Sequence, residues 1–194
     1  MTVQAPESAY PIRVDIPYQD EYARWMPLIK WLLAIPHLVI LYFLNIAWGV
    51  VTFITAFIIL FTEKYPEGLH KFSVGFRRWN LNAYAYILLL RDEYPPFSMD
   101  PGQYPATLEV DYQQPLNRFL PFVKWLLAIP HIIILGALAI VTFILVIIAL
   151  FAILFTQHFP RGMFDFVVGY LRWNERVTGY YALFTDEYPP FSLK

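Results

Sequence analysis

Two tracts of this chain, Leu38 to Thr62 and Ile132 to Thr156, contain no Asp, Glu, Lys or Arg at any position. An uncharged apolar run of this kind is long enough to cross a hydrocarbon core of about 30 Å as a helix. The remaining composition agrees. Only 15% of residues are charged, against roughly a quarter in soluble chains, and the mean hydropathy is +0.47. The chain is therefore expected to be an all-α integral membrane protein whose first partner is the lipid bilayer. A net charge of −1 offers no basic surface for nucleic acid. The lack of cysteine removes disulfides and thiolate metal sites. Met1 to Tyr10 is polar and lacks the basic and apolar regions of a cleavable signal peptide, so the internal tracts are expected to direct insertion.

The tracts belong to a duplication. A shift of 94 residues lays Ile12–Ser98 on Ala106–Ser192 without a gap, and roughly two positions in five are identical, beyond chance self-similarity. Lys30-Trp31-Leu32-Leu33-Ala34-Ile35-Pro36-His37 recurs unchanged as Lys124 to His131. Arg78-Trp79-Asn80 recurs as Arg172-Trp173-Asn174, and Asp92 to Ser98 as Asp186 to Ser192. The organisation read from this is an N-terminal extension (1–11), unit one (12–98), a Pro- and Gly-bearing linker (99–105) and unit two (106–192).

Within a unit, Arg13-Val14-Asp15-Ile16 and Thr107-Leu108-Glu109-Val110 alternate polar and apolar, as short strands able to pair outside the bilayer. Glu21 to Ile35 is amphipathic, an interfacial helix. Its Trp31 and Lys30 suit the headgroup layer, the lysine by snorkelling. Pro36 cannot donate to the Leu32 carbonyl and is expected to bend the helix there. Trp31 to Thr62 as one helix would measure about 48 Å, one kinked and tilted span rather than two.

The element after the turn, residues 69–90 and 163–184, has the length to return across the membrane but carries charge. Lys71, Gly75, Arg78 and Asn82, like Asp165, Gly169, Arg172 and Arg176, fall on one helical stripe. The glycines permit close approach to a neighbour, and the arginines should face protein, water or headgroups. If this element spans, each unit has two spans and the units lie parallel. If it lies on the surface, each has one span and the units are inverted. The parallel, four-span version agrees better with the distribution of Lys and Arg, and it places both termini in the cytoplasm.

Three constellations compete as sites. His37 and His131, one per box, would stand near one membrane face, where facing imidazoles could hold a haem or chlorophyll-type magnesium axially. The plainer reading is a histidine bonded to a carbonyl freed by the proline. Arg78 and Arg172, with Asp165, Glu175 or the Asp92/Asp186 pair, are candidate intramembrane polar sites. Their presence in both units favours a structural role, with Asn80 and Asn174 beside them. The paired carboxylates of Asp92-Glu93 and Asp186-Glu187 should diverge, and the Pro-Pro exit should end the helix and pack onto the box carrying Lys30 or Lys124. No catalytic motif is present, and His70 and His158 lack symmetry mates, since Phe164 and Lys64 stand there.

The box, the Gly68/Phe72/Gly75/Arg78-Trp79-Asn80 pattern and the Asp-Glu-Tyr-Pro-Pro-Phe-Ser exit, each present twice, resemble an uncharacterised family of bacterial multi-pass membrane proteins. That family is catalogued as a domain of unknown function, the 4389 group, and its members often carry the unit in tandem. The resemblance implies a protein of the bacterial cell membrane and carries over no activity. The related exit often reads Asp-Arg-Tyr-Pro-Pro-Phe, whereas Glu93 and Glu187 stand here. The leading expectation is a non-catalytic accessory or scaffold subunit that packs against other membrane subunits. The alternatives are a small transporter or channel with a site between the units, lined by Arg78, Arg172 and Asp165, and a haem- or pigment-binding protein using His37 and His131.

Overall fold

The computed structural model describes residues 10–194. Of the extension expected over 1–11, all but Tyr10 and Pro11 lies outside the described residues. The first unit comprises β1 (Ile12–Asp15), α1 (Met26–Leu33), α2 (Ile35–Thr62) and α3 (Glu67–Ile87). The second comprises β2 (Thr107–Val110), a 3-10 turn at Leu120–Phe122, α4 (Lys124–Leu127), α5 (Ile129–Thr156) and α6 (Arg161–Tyr181). The expected bend falls in place, because the helix breaks at Ala34, between α1 and α2, with Pro36 in the first turn of α2 where its missing N–H is harmless.

The apolar helices end without glycine. Glu63 and Gln157 close α2 and α5 in the left-handed region. Past α3 and α6, Leu89 and Leu183 do the same, each followed by a return bond from the next residue, Leu90 N–H to the Ala85 carbonyl and Phe184 N–H to the Gly179 carbonyl. A left-handed leucine costs about 1–2 kcal/mol. Both side chains are buried, which returns about 1.5–3 kcal/mol, so burial outweighs the backbone penalty.

The strands pair antiparallel, Ile12 with Val110 through Asp15 with Thr107. In that register Val14 lies opposite Leu108, its own symmetry mate, so a pseudo-twofold axis passes through the pair. The strands are exchanged: β1 packs on α6 and β2 on α3. Three layers follow along the axis, with paired strands outermost, α3 and α6 buried in the middle, and α2 and α5 on the far side.

The parallel arrangement of units expected from the charge distribution is corrected by the contacts at the helix ends. The Tyr22 N–H donates to the Gln157 carbonyl just past α5 at 2.9 Å, and the Leu116 N–H donates to the Glu63 carbonyl just past α2 at 2.8 Å. Phe122 packs on Phe57 near the end of α2. Each apolar helix starts beside the other's end, so α2 and α5 run antiparallel. The physical reason lies in the connection. The chain from Met99 through β2 runs back along the first unit, where Tyr112 donates to the Tyr65 carbonyl, before the second box begins. Extended chain advances about 3.3 Å per residue, enough for that return.

Of the helices, α2 and α5 are long and apolar enough to cross a membrane. Each buries one narrow stripe, His37, Leu41, Trp48, Thr55 and Ile59 in α2, and leaves the rest half-buried or exposed. α3 and α6 do not share that character. Their described residues are largely buried against strands and apolar helices, which is where their arginines are accommodated.

Candidate functional site

The box is built inward rather than toward headgroups. Lys30 is 1% exposed. Its Nζ lies 2.7 Å from Asp92 Oδ1, donates to the Arg91 carbonyl at 2.7 Å and sits over the Tyr86 ring. Lys124 repeats this with Asp186, the Thr185 carbonyl and Tyr180. The snorkelling lysine is thus corrected: a complete set of acceptors inside the unit removes the reason to reach for water. Burial holds the Lys124 ammonium below its ordinary pKa, with Asp186 working against it. Trp31 and Trp125 keep the exposed position expected of them, at 64% and 63%. The adjacent carboxylates diverge as expected. Asp92 turns in to accept the Ala23 N–H at 2.7 Å, while Glu93 turns out to Arg91.

His37 is enclosed by its own unit. Its Nδ1 accepts the Trp79 indole N–H at 2.9 Å, its ring stacks on Phe97 at 4.0 Å, and Tyr94 covers the edge. His131 has the same surroundings in Trp173, Phe191 and Tyr188. The partner is an indole, not a freed carbonyl, and the imidazole proton therefore resides on Nε2. Antiparallel units put the two boxes at opposite ends of the molecule, so the expected pair near one face, and one metal held axially between them, is corrected. Among the described residues no group of three or more His, Asp or Glu is placed to hold a metal ion.

The stripe on α3 and α6 faces protein, as expected. Arg78 donates to the Met99 and Leu108 carbonyls, and Arg172 to those of Val14 and Leu193. Each arginine therefore clamps a strand of the other unit. Gly75 and Gly169 sit against Met99 and Leu193, where a Cβ would come within 2.8 Å. Asp165 pairs with Arg161 on the exposed first turns of α6. The transport path expected along Arg78, Arg172 and Asp165 is corrected accordingly: none of the three lines the space at the axis.

What does line it is a cleft of 590 Å³ between α2 and α5, floored by α3 and α6. Asn80 and Asn174, symmetry mates, share its lining. Beside them lies an ion pair the sequence reading missed. Arg77 Nη2 is 2.6 Å from Glu175 Oε1 and Arg77 Nε is 3.1 Å from Oε2, with both side chains buried. Arg77 also stands over the Trp48 ring at 5.6 Å. Glu175, assigned from sequence to Arg78 or Arg172, belongs to Arg77 because α3 and α6 cross antiparallel here. The mates of these two residues are Leu171 and Leu81, so the pair occurs once, whereas Trp79 and Asn80 beside it recur as Trp173 and Asn174. That departure from the repeat was the available signal.

The cleft is otherwise uncharged. Leu38, Leu41 and Phe143 wall it, and Tyr84, Tyr170 and Thr142 add hydroxyls. The Asn80 Oδ1 and Thr142 Oγ1 atoms are buried without a hydrogen-bond partner. Outside the apolar helices, His70 is buried among Tyr65, Tyr112 and Phe184, and burial pushes it down to about 4. On the strand face Arg13 forks onto Asp111 and, through that hydrogen bond, holds the carboxyl below the usual range.

A family model described as a domain of unknown function (DUF4389) matches residues 24–99 and 121–192, one match in each unit. No curated protein and no solved structure matches the chain.

Proposed function

The chain belongs to the DUF4389 family twice over, and on that premise we propose that it is a non-catalytic scaffold subunit of a bacterial cell-membrane complex, seated in one leaflet. The observation that carries the reading is the division of the surface. Among the described residues, α2 and α5 themselves carry no charge, whereas the strand side bears Arg13, Glu109 and Asp111. One end bears Lys64, Glu67 and Lys71, and the other Asp20, Arg161 and Asp165. If α2 and α5 crossed the bilayer, the strand side would meet hydrocarbon at about 2.5–3.5 kcal/mol per central charge. Laid in the plane, a helix of about 10 Å diameter fits a leaflet of about 15 Å. Strands and both ends then stay in water. Such insertion translocates no charged segment, so the aqueous side is the cytoplasmic side, where the chain is made.

The scaffold part rests on where the polar groups go. Lys30, Lys124, Arg77, Arg78 and Arg172 are each bonded within the chain, while the long faces of α2 and α5 remain open to apolar packing against partner helices. Because the chain has no cysteine, single-cysteine labelling with an impermeant maleimide is clean. Lys64→Cys, His158→Cys and Asp20→Cys should all react from the same side of sealed inverted vesicles. Reaction of Lys64→Cys from the side opposite the other two would instead mean antiparallel spans. Gentle detergent extraction that yields the chain alone, with no stoichiometric membrane partner, would end the scaffold assignment.

A further inference from the structure

Seated in one leaflet, the molecule displaces lipid on one side of the bilayer only. α2 and α5 are 28 residues each, about 42 Å long and about 10 Å across. Side by side they take roughly 800 Å² out of one leaflet and nothing out of the other. Their depth is as uneven as their area. A layer of about 10 Å fills only the upper part of a leaflet of about 15 Å, and lipid chains must bend in beneath it. The layer cannot sink, because α3 and α6 lie directly above it and the charges of Arg13, Glu109 and Asp111 above them, and those stay out of hydrocarbon. Nor can it rise. Phe43, Phe53, Phe143 and Phe155 on α2 and α5 are each at least 65% exposed, and lifting them into water forfeits their burial.

A body that is wide near the headgroups and absent beneath them is a wedge. In a flat leaflet it forces the headgroups apart and makes the chains below splay. In a convex leaflet the headgroups already stand apart, and the strain is relieved. Interfacial helices bind membranes in a curvature-sensitive way. Here the two helices cannot tilt independently, because α2 rests on α3 and α5 on α6, and the Arg77–Glu175 pair joins α3 to α6. With a net charge of −1, attraction to anionic lipid adds little, so shape selects the surface. On the basis of the leaflet reading, we propose that the α2/α5 face recognises a convex lipid surface, and that the chain gathers where its own leaflet bulges toward the water it faces. For the cytoplasmic leaflet, that place is an invagination into the cytoplasm.

The test uses the full chain with Gln103→Cys, an exposed linker position, carrying a fluorophore. It is added from dilute detergent to the outside of giant phosphatidylcholine vesicles, and a nanotube is pulled outward from each. Protein in the outer leaflet is expected to concentrate severalfold in the tube, relative to a lipid dye that follows area, and more so as the tube narrows. Inserted from inside the vesicle, the same protein should be depleted from the tube, because the inner leaflet there is concave. Equal density on tube and vesicle from both sides overturns the proposal. Enrichment that appears only when phosphatidylglycerol is added overturns it as well, since charge would then select the surface. Maleimide labelling separates the failures. Lys64→Cys and Asp20→Cys reacting from one side leave the leaflet reading standing, and reaction from opposite sides overturns both.

Discussion

The single ion pair at the centre of a duplicated molecule comes with its own control. Arg77 and Glu175 are 9% and 2% exposed at the side chain and meet through two hydrogen bonds. Removing either partner leaves an uncompensated buried charge, which costs about 3–5 kcal/mol, a large part of a total stability of about 5–15 kcal/mol. Arg77→Leu and Glu175→Leu should therefore each be severely destabilised. Replacing both pairs leucine with leucine, as Leu171 and Leu81 already stand in the equivalent positions, both buried. A buried pair exchanged for well-packed apolar side chains is commonly neutral or more stable by about 1–4 kcal/mol. The double variant should thus recover the wild-type level or exceed it, with a coupling far larger than the usual error of additivity. Trp48, whose ring lies under the Arg77 guanidinium, reports unfolding by fluorescence as the full chain is titrated with denaturing detergent in mixed micelles. A double variant as unstable as the sum of the singles would refute the argument, since the pair would then be doing something leucine cannot.

Gly169→Ala should destabilise by about 1–3 kcal/mol by overpacking, because its Cβ would lie 2.8 Å from the Leu193 carbonyl oxygen, part of the backbone. Gly162→Ala, which meets nothing within 4 Å, should instead be neutral or stabilising, and thermal melts of the two in one detergent check the contrast. His70 is held neutral by burial at about 4, below its unfolded value near 6.5. The unfolded chain therefore binds more protons between those limits, and stability falls as pH drops from about 6.5 and levels off near 4. His70→Phe, copying Phe164 of the other unit, should flatten that part of the pH–melting curve. An unchanged slope would show that His70 titrates normally.

Much of the local structure was legible because it depends on neighbours in sequence. The break before Pro36, the pairing of the two alternating tetrapeptides, the protein-facing stripe of Gly75 and Arg78, and the packing of the Pro-Pro exit on the box all follow from spacing and residue type. The direction of one unit against the other was not legible. A repeat is equally compatible with any twofold axis, and the choice is made by the return of Met99–Val110 along the first unit. Lys30 was misplaced for a related reason. Snorkelling is the default for a lysine beside an apolar tract, and what overrides it is Asp92, brought within 2.7 Å by tertiary folding alone. The Arg77–Glu175 pairing was not legible because the repeat marks what the units share, which offers Arg78 and Arg172 as partners for Glu175, whereas the axis is marked by where the units differ.

That difference bears on how the chain assembles. Because β1 packs on α6 and β2 on α3, neither unit's strand covers its own middle helix, and each needs a partner unit on that face. Two copies of unit one, joined about the same axis, would face Arg77 with Leu81 twice over. Two copies of unit two would face Glu175 with Leu171 twice. Either homodimer buries two unpaired charges at about 3–5 kcal/mol apiece, whereas the mixed pair buries none. The ion pair then acts less as a source of stability than as a device against the wrong pairing. Residues 1–105 and 106–194, co-expressed as separate chains with different tags, should co-purify one to one and form few homodimers. In halves carrying Arg77→Leu and Glu175→Leu the penalty is gone, and homodimers should appear alongside the mixed pair. Wild-type halves that associate at random would show that the strands and boxes decide pairing without the charges.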